Sequence, residues 1–241
     1  MDSGLHRQRR AGLRGLLLAA SAGVLILVVG LIYWNHPGLG RFPVRGIDVS
    51  HHQGVIDWSQ VAGAGVHFAF IKATEGGDHL DTRFSENWLQ AGEAGLIRGA
   101  YHFFTFCTRG NVQADHYLAV APPMLDVLPP AVDVEFAGNC RSWTSIEEIR
   151  RELRVFLGRL EAAWGRTPIL YITSESEEQI IAGHFDDFPV WIRSVFFRPG
   201  GRNPAWFFWQ YTDEGEIPGI ETPVDLNVYR GKPDEIAALL R

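Results

Sequence analysis

The sequence is short of cysteine and of positive charge. Two cysteines, Cys107 and Cys140, occur among 241 residues, so the chain can form at most one internal disulfide. The net charge of −6 at pH 7 becomes −9 without residues 1–36, because that segment holds four arginines and one acid. An acidic surface of this kind argues against nucleic acid as a partner. The whole chain is 46% hydrophobic and 12% aromatic, enough for one sizeable core.

The amino-terminal segment contains a long apolar run. No charged residue occurs from Gly15 to Trp34, and a helix of that length spans roughly 30 Å, the hydrocarbon thickness of a bilayer. Arginines precede the run, so we expect residues 1–36 to form a cytoplasmic basic tip and a transmembrane signal anchor. A cleaved signal peptide is the alternative, but its apolar region is usually about 7–15 residues long and ends in small residues.

Beyond the anchor, a short Gly/Pro linker (residues 37–43) leads into one domain, residues 44–241. Apolar strand-like runs alternate there with helical patterns, which indicates a parallel sheet with crossover helices, and eight strands suit an α/β barrel of the TIM-like kind. The predicted helices are Asp57–Ala64, Thr82–Ala94 and Thr144–Trp164. The predicted strands are Val44–Val49, His67–Ala73, Ile97–Phe106, Ala131–Phe136, Pro168–Thr173, Pro189–Ile192, Trp206–Tyr211 and Val224–Val228.

The two cysteines each follow a predicted strand closely. If those two strands are parallel neighbours, their ends lie about 4.8 Å apart, which a disulfide tolerates. In an exported domain an even cysteine count favours a Cys107–Cys140 disulfide. Two unpaired thiols are the alternative.

Two carboxylates stand two residues apart in the apolar run that contains Asp133 and Glu135. On a strand this spacing places both on one face, with Cα atoms roughly 6.6 Å apart, a range in which two carboxylates can flank a glycosidic bond. Asp48 and Asp225 also lie in or at the ends of predicted strands, and the carboxyl ends of parallel barrel strands meet at one mouth. We therefore predict a glycosidase site, with strand-end salt bridges as the alternative.

Six motifs then identify a family. They occur in a fixed order between about Gly46 and Arg230, which is nearly the whole predicted domain. The motifs are Gly46-Ile-Asp-Val-Ser-His-His-Gln-Gly54 with Ile56-Asp-Trp58, Phe68-Ala-Phe-Ile-Lys-Ala-Thr-Glu-Gly76, Gly99-Ala-Tyr-His-Phe-Phe104, Val132-Asp-Val-Glu135, Trp209-Gln-Tyr211 and Val224-Asp-Leu-Asn227. In these motifs the chain resembles the glycoside hydrolase family 25 lysozymes, the Chalaropsis-type N-acetylmuramidases.

The resemblance implies an irregular β/α barrel that cleaves the β-1,4 bond between N-acetylmuramic acid and N-acetylglucosamine in peptidoglycan. We expect the protein to be a monomer and to need no cofactor. It implies that Glu135 is the proton donor, Asp133 its partner, and Asp48 and Asp225 two further active-site acids. Asp133 could attack directly, activate water, or orient the substrate's own acetamide. We favour the last of these.

One segment departs from the family pattern. After Trp191-Ile192 the family often has a small residue and then a tyrosine, whereas this chain has Arg193-Ser-Val-Phe-Phe-Arg198. The resemblance therefore leaves the sugar contacts beside this strand unassigned.

Aromatic residues in or beside the strands are candidates for contacts with sugar rings, although large rings also fill barrel cores. We expect Tyr101 and Tyr171 to be the first contacts. The full set is Tyr101, Tyr171, Trp191, Trp209 and Tyr211.

Three histidines and one lysine also occur in the motifs. His51, His52 and His102 lack the spacing of metal ligands, so we expect them to hydrogen-bond or to line the site. Lys72 and Glu75 are expected to pair structurally.

Two other functions compete with the muramidase. The first is a peptidoglycan-binding module without turnover, which the complete set of acids disfavours. The second is a metal-dependent barrel phosphodiesterase, which a chelator would inactivate. The anchor and the resemblance together predict a single-pass protein of a bacterial inner membrane, with its catalytic domain periplasmic or extracellular.

Overall fold

The computed structural model describes residues 21, 23–28, 30 and 37, and residues 41–140, 145–195, 197–200 and 206–240. Within these residues, no helix is both long enough and apolar enough to cross a bilayer. The predicted anchor over residues 15–34 lies largely outside the described residues. Within it, the described residues 23–28 are helical.

A closed barrel of eight strands forms the centre of the domain, as predicted. β1 pairs with both β2 and β9, which joins the two ends of the sheet, and β3 is a two-residue addition at the edge of β2. The strands of the described chain are β1 (Val44–Val49), β2 (Phe68–Glu75), β3 (His79–Leu80), β4 (Ile97–Phe103), β5 (Ala131–Val134), β6 (Ile169–Ile172), β7 (Val190–Arg193), β8 (Trp206–Gly215) and β9 (Val224–Tyr229).

The direction of the last strand differs from the expectation of a parallel sheet. Seven barrel strands, from β1 to β8 without β3, are parallel to their neighbours, but β9 runs antiparallel to both β8 and β1. Antiparallel strands can follow one another through a short connection, whereas parallel strands need a long crossover. This explains why residues 216–223 join β8 to β9 without a helix.

The longest helix packs on the outer core and begins slightly later than predicted. Its N-cap is Ser145, whose hydroxyl accepts the Glu148 N–H at 3.2 Å, and it ends at Gly165 in the left-handed conformation. Thr144, the predicted start, lies outside the described residues. The helices are α1 (Trp58–Gly63), α2 (Phe84–Glu93), α3 (Gly110–Val120), α4 (Ile146–Trp164) and α5 (Pro233–Ala238), with short helical turns at His51–Gln53, Ser174–Ser176 and Glu177–Ile181.

Strand alternation divides the apolar residues into two cores. Side chains on one face pack between sheet and helices, and those on the other face fill the barrel interior. Two glycines make room inside: a Cβ on Gly46 would lie 2.3 Å from the Phe68 ring, and one on Gly99 would lie 2.6 Å from the Phe70 ring. The interior core consists of Val44, Phe68, Phe70, Leu128, Ala131, Ile169, Tyr171, Trp191, Phe208, Tyr229 and Ile236.

Candidate active site

The four predicted acids lie at the mouth of the barrel, above the interior core. Asp48 is next to the end of β1 and is paired in register with Asp225 of β9. Asp133 lies on β5, and Glu135 follows directly after that strand. Val132 and Val134 pack in the outer core, so alternation turns Asp133 toward the barrel interior. The residues therefore reach the mouth from opposite sides of the barrel.

A cleft of roughly 660 Å³ opens at this mouth. Three of the four acids, Asp48, Glu135 and Asp225, line it together with Tyr171, and Asp133 is buried with 8% of its surface exposed. The other lining residues are Ala137, Thr173, Ser174, Glu175, Arg193, Ser194, Val195, Phe197, Gln210 and Asp213.

Asp48 and Asp225 form a hydrogen-bonded pair that two amides support. Asp48 Oδ2 accepts the Gln210 Nε2–H at 2.9 Å and the Asn227 Nδ2–H at 2.6 Å. Burial raises the pKa of Asp48, and the amide hydrogen bonds act against that rise. Burial and the neighbouring Asp48 charge raise the pKa of Asp225 to about 9. The pair therefore holds a proton at neutral pH.

Asp133 and Glu135 form a second pair with much less support. Asp133 Oδ1 is buried and has no hydrogen-bond partner among the described residues. Burial and the charge of Glu135 raise the pKa of Asp133 well above its ordinary value. Burial also raises the pKa of Glu135, while Arg193 opposes the rise. A carboxyl group that keeps its proton near neutral pH can act as a general acid.

Comparison with known proteins identifies the family. Residues 47–220 match the model of Glycosyl hydrolases family 25. The chain belongs to this family. It is 38% identical to YegX of Escherichia coli (strain K12) over 205 residues, 83% of this chain and 74% of that protein. It is 36% identical to Lysozyme M1 of Streptomyces globisporus over 210 residues, 81% and 71% of the two chains.

The family 25 fold is also seen among solved structures. A family 25 glycosyl hydrolase from Bacillus anthracis superposes with a TM-score of 0.80 at 37% identity, over 86% of this chain and 98% of that one. With the family match and the similarity to a lysozyme, the protein is a glycosidase of the lysozyme type, and its substrate is peptidoglycan.

The five aromatic residues predicted to contact sugar occupy different places in the family 25 barrel. Tyr171 lines the cleft, and its hydroxyl donates to Gln210 Oε1 at 2.9 Å. Tyr101 is half-buried with its ring 6.2 Å from that of Trp191, and burial together with Asp48 raises its pKa well above the ordinary value. These two remain predictions as sugar contacts.

The other three aromatic residues lie in or against the cores, and their role as sugar contacts also stays a prediction. Trp191 is stacked on Phe70 at 4.2 Å inside the barrel. Trp209 is 1% exposed in the outer core, where its Nε1–H donates to the Ser194 carbonyl at 2.8 Å. Tyr211 packs against the same outer core. In the described conformation, neither tryptophan presents a ring face to the cleft.

The histidines are hydrogen-bonded, as expected. His51 Nδ1 lies 2.8 Å from Asp81 Oδ2, and His102 lies between Thr74 Oγ1 at 2.7 Å and Gln113 Oε1 at 3.0 Å. Burial lowers the pKa of His102 to about 3, so this ring is neutral. His52 packs on His51, with ring centroids 4.0 Å apart. In the described parts of the chain, no group of three histidine, cysteine or acidic residues could hold a metal ion.

Lys72 and Glu75 form the predicted ion pair, with Nζ and Oε2 2.7 Å apart. Lys72 also lies over the ring of Phe103, 5.1 Å from its centroid. Its charge lowers the pKa of Asp133 and of Glu135, against the larger effect of burial. Lys72 therefore places a positive charge near the second acid pair.

The predicted disulfide is present between Cys107 and Cys140, with Cα atoms 5.9 Å apart. It joins the segments that follow β4 and β5, which are parallel neighbours. Beside it, Asn139 Nδ2 donates to the Glu135 and Phe104 carbonyls at 2.9 Å each. The Phe106 N–H donates to Asn139 Oδ1 at 2.8 Å. The disulfide and Asn139 thus hold the segment that begins at Glu135.

Sequence reasoning missed several residues of the site. Gln210 and Asn227 lie inside recognised motifs, and a buried polar residue on the same strand face as an acid was the signal that could have identified them. Arg193 was noted only as a departure from the family pattern. Asp213, its ion-pair partner, and Phe197 were not considered. Both lie in the cleft wall.

Proposed function

We propose that this family 25 glycosidase cleaves the β-1,4 bond between N-acetylmuramic acid and N-acetylglucosamine, with Glu135 as the general acid. The observation that supports this assignment most strongly is that Glu135 lines the cleft with a raised pKa, directly beside the buried Asp133. The glycosidic oxygen is a poor leaving group, so it must receive a proton as its bond breaks. Glu135 supplies that proton from the cleft wall.

Asp133 acts on the substrate's 2-acetamido group in this proposal. Its Oδ1 is a buried acceptor without a donor in the described structure, and such an atom costs free energy until it is satisfied. The acetamide N–H of a bound sugar would satisfy it and would be oriented for attack of the acetamide oxygen on the anomeric carbon. The second possible role, activation of a water molecule, requires the same carboxylate to accept a proton.

The negative charge of Asp48 supports the same reaction. Positive charge develops on the sugar ring in an oxocarbenium-like transition state. Asp48, fixed by Gln210 and Asn227, needs no reorganisation to stabilise that charge. Asp225 keeps the shared proton and holds Asp48 in place.

The test of the assignment is Glu135→Gln. This variant should lose about 10²–10⁴-fold in kcat on purified peptidoglycan, the usual contribution of a general acid, while still binding the glycan. Glu178→Gln, an exposed glutamate outside the cleft, is the matched control and should retain full activity. Undiminished lysis by Glu135→Gln would overturn the role of Glu135. Mass spectrometry of the released muropeptides identifies the bond that is cut.

The anomeric configuration of the first-formed product tests the role of Asp133. Participation of the acetamide proceeds through a cyclic intermediate and retains the configuration. Rapid NMR of the product should therefore show the β anomer first. An inverted product would exclude the acetamide route and would leave activation of water by Asp133.

We also propose where the enzyme works. Residues 1–36 form a cytoplasmic tip and a single membrane anchor, residues 37–43 a linker, and residues 44–241 a monomeric catalytic domain outside a bacterial inner membrane. The four preceding arginines and the uncharged run from Gly15 to Trp34 support this arrangement. Protease treatment of spheroplasts should degrade the catalytic domain of the full-length protein; complete protection would contradict it.

A further inference from the structure

Arg193 gives the cleft its single positive charge among the described lining residues. It ends β7 and points to the barrel interior, because Val190 and Ile192 on either side of Trp191 pack in the outer core. Five lining residues are acids: Asp48, Glu135, Glu175, Asp213 and Asp225. Among the described lining residues, an anionic group on the substrate therefore finds an opposite charge only at Arg193.

The Arg193 guanidinium is held by one ion pair, and most of its N–H donors have no acceptor within the described structure. Arg193 Nη2 donates to Asp213 Oδ2, its only hydrogen bond within the described structure. A guanidinium has five N–H donors. The Arg193 side chain is 35% exposed and faces the cleft, so donors remain for a ligand. Asp213 fixes the plane of the group, as a preorganised binding residue requires.

An aromatic ring lies beside this charge. Phe197 lines the same cleft with 69% of its surface exposed, and the Ser194 hydroxyl donates to its carbonyl at 2.6 Å. An exposed ring on a cleft wall can pack on a sugar face. The segment that departs from the family pattern thus places a cation and an apolar surface side by side.

We propose that Arg193 is a specificity-determining residue that binds a carboxylate of the glycan strand. The inference rests on the proposed function and adds the part of the substrate that the cleft selects. Carboxylates occur on the peptide stems and, where no peptide is attached, on the lactyl groups of the muramic acid residues. A planar guanidinium can bind either one with two parallel hydrogen bonds. The cleft therefore prefers an anionic glycan to a neutral one of the same length.

Arg193 also influences Glu135, and the test must separate the two effects. Arg193 lowers the pKa of Glu135 against the effect of burial, so its removal changes the pH profile of kcat on every substrate. Binding of a carboxylate instead changes KM, and only on substrates that carry one. The two effects therefore separate in the kinetic constants and across substrates.

The experiment compares Arg193→Gln with the unmodified protein on three glycans. These are strands with peptide stems, strands stripped of peptides so that lactyl carboxylates remain, and strands whose carboxylates have been amidated with carbodiimide and ammonia. Arg193→Gln should raise KM about tenfold on a carboxylate-bearing strand, at the low end for a charge-assisted hydrogen bond because the group is partly exposed. On amidated strands KM should change less than about twofold.

Two further variants serve as controls. Arg159→Gln removes the same charge from an exposed Arg–Asp pair that joins α4 to α3, outside the cleft, and should leave KM unchanged on every strand. Arg193→Lys keeps the charge but not the planar group and should raise KM about threefold.

Comparison of the three glycans identifies which carboxylate Arg193 binds. A rise on peptide-bearing strands alone assigns the stem, a rise on stripped strands alone assigns the lactyl group, and a rise on both assigns carboxylates in general. An equal rise on amidated strands, or none on any strand, would overturn the inference. If the unmodified protein cleaves no glycan, the proposed function fails first; calorimetric binding of native and amidated strands to the Arg193→Gln and unmodified proteins still tests Arg193.

Discussion

The two carboxyl pairs at the barrel mouth differ in how their oxygens are satisfied. Asp48 accepts two buried amide hydrogen bonds and shares a proton with Asp225. Asp133, across the barrel, leaves Oδ1 without a partner in the described structure. Each pair has one buried member, Asp48 or Asp133, and all four acids have raised pKa values. Burial alone therefore does not distinguish them.

This difference separates stability from reactivity. A buried carboxylate with complete hydrogen bonding holds its neighbours in place, so its loss leaves their donors unpaired. A buried carboxylate that lacks hydrogen-bond donors lowers stability in the absence of substrate. Such carboxylates are common at sites where a bound ligand supplies the missing donor. In the proposed mechanism, the Asp48 pair is the fixed side of the cleft, and the Asp133 pair is the side that reacts.

Asp133→Asn should produce the largest effect, on activity rather than stability. We expect kcat to fall about 10²–10⁴-fold, as for loss of an acid or base group. Urea denaturation should show a change below about 1 kcal/mol, because no protein hydrogen bond to Oδ1 is lost. A loss of several kcal/mol in the free energy of unfolding would show that Asp133, like Asp48, holds its neighbours in place.

Removal of the disulfide should give the next largest effect, a loss of stability on the Asp133 side of the cleft. The bridge closes a segment of 33 residues beside Glu135, and loss of such a link costs about 2–4 kcal/mol. The double variant Cys107→Ser/Cys140→Ser should lower the urea midpoint under oxidising conditions. Dithiothreitol provides the control, because it should lower the midpoint of the unmodified protein but not that of the variant. Equal stability of the two proteins would contradict the expectation.

Asp48→Ala tests the fixed side and should mainly reduce stability. Gln210 and Asn227 would each lose a buried acceptor, at about 1–3 kcal/mol per group. We expect a total loss of about 2–4 kcal/mol in urea denaturation. The matched variant Asp133→Ala should cost about 1 kcal/mol or less. If both alanine variants lose the same amount, the two sides of the cleft do not differ as described.

The pH dependence of stability tests the proton that Asp48 and Asp225 share. The pKa of Asp225 is raised from 3.8 to about 9 in the folded protein, so between these values the folded state binds one proton more than the unfolded state. Its contribution is complete below about pH 4 and is lost as the pH rises toward about 9, with a slope of at most about 1.4 kcal/mol per pH unit.

The free energy of unfolding should therefore decrease between pH 5 and pH 9. Asp225→Asn removes this titration and should flatten the decrease, while Asp213→Asn, an exposed acid of the cleft rim, should not. Equal slopes in the unmodified protein and Asp225→Asn would show that Asp225 does not hold the proton.

Local patterns predicted the strands and the acids well. Each acid lies in or next to a short strand, so alternation alone places it on one face, and the two cysteines follow neighbouring strands. The supporting amides could not be found in the same way, because Gln210 and Asn227 lie 162 and 179 residues from Asp48 in sequence. Only closure of the barrel brings them together.

Two further differences between the expected and the observed fold concern the direction of β9 and the register of β8. β9 runs antiparallel because the connection over residues 216–223 is too short for a crossover, and no property of its own residues determines that direction. The pairing register shifts where β7 meets β8, after Val190, and Trp209 consequently faces the outer core. Strand alternation counted from sequence does not include such an irregularity.

The most direct test of the account is the titration of Glu135 itself. Carbon NMR of the protein labelled at glutamate side-chain carboxyls, with Glu135→Gln to assign the signal, measures the pKa of this one group. We predict a midpoint above the ordinary value of 4.5, because burial outweighs the effect of Arg193. A midpoint at or below 4.5 would show that Glu135 is ionised at neutral pH, and it would contradict its role as the proton donor.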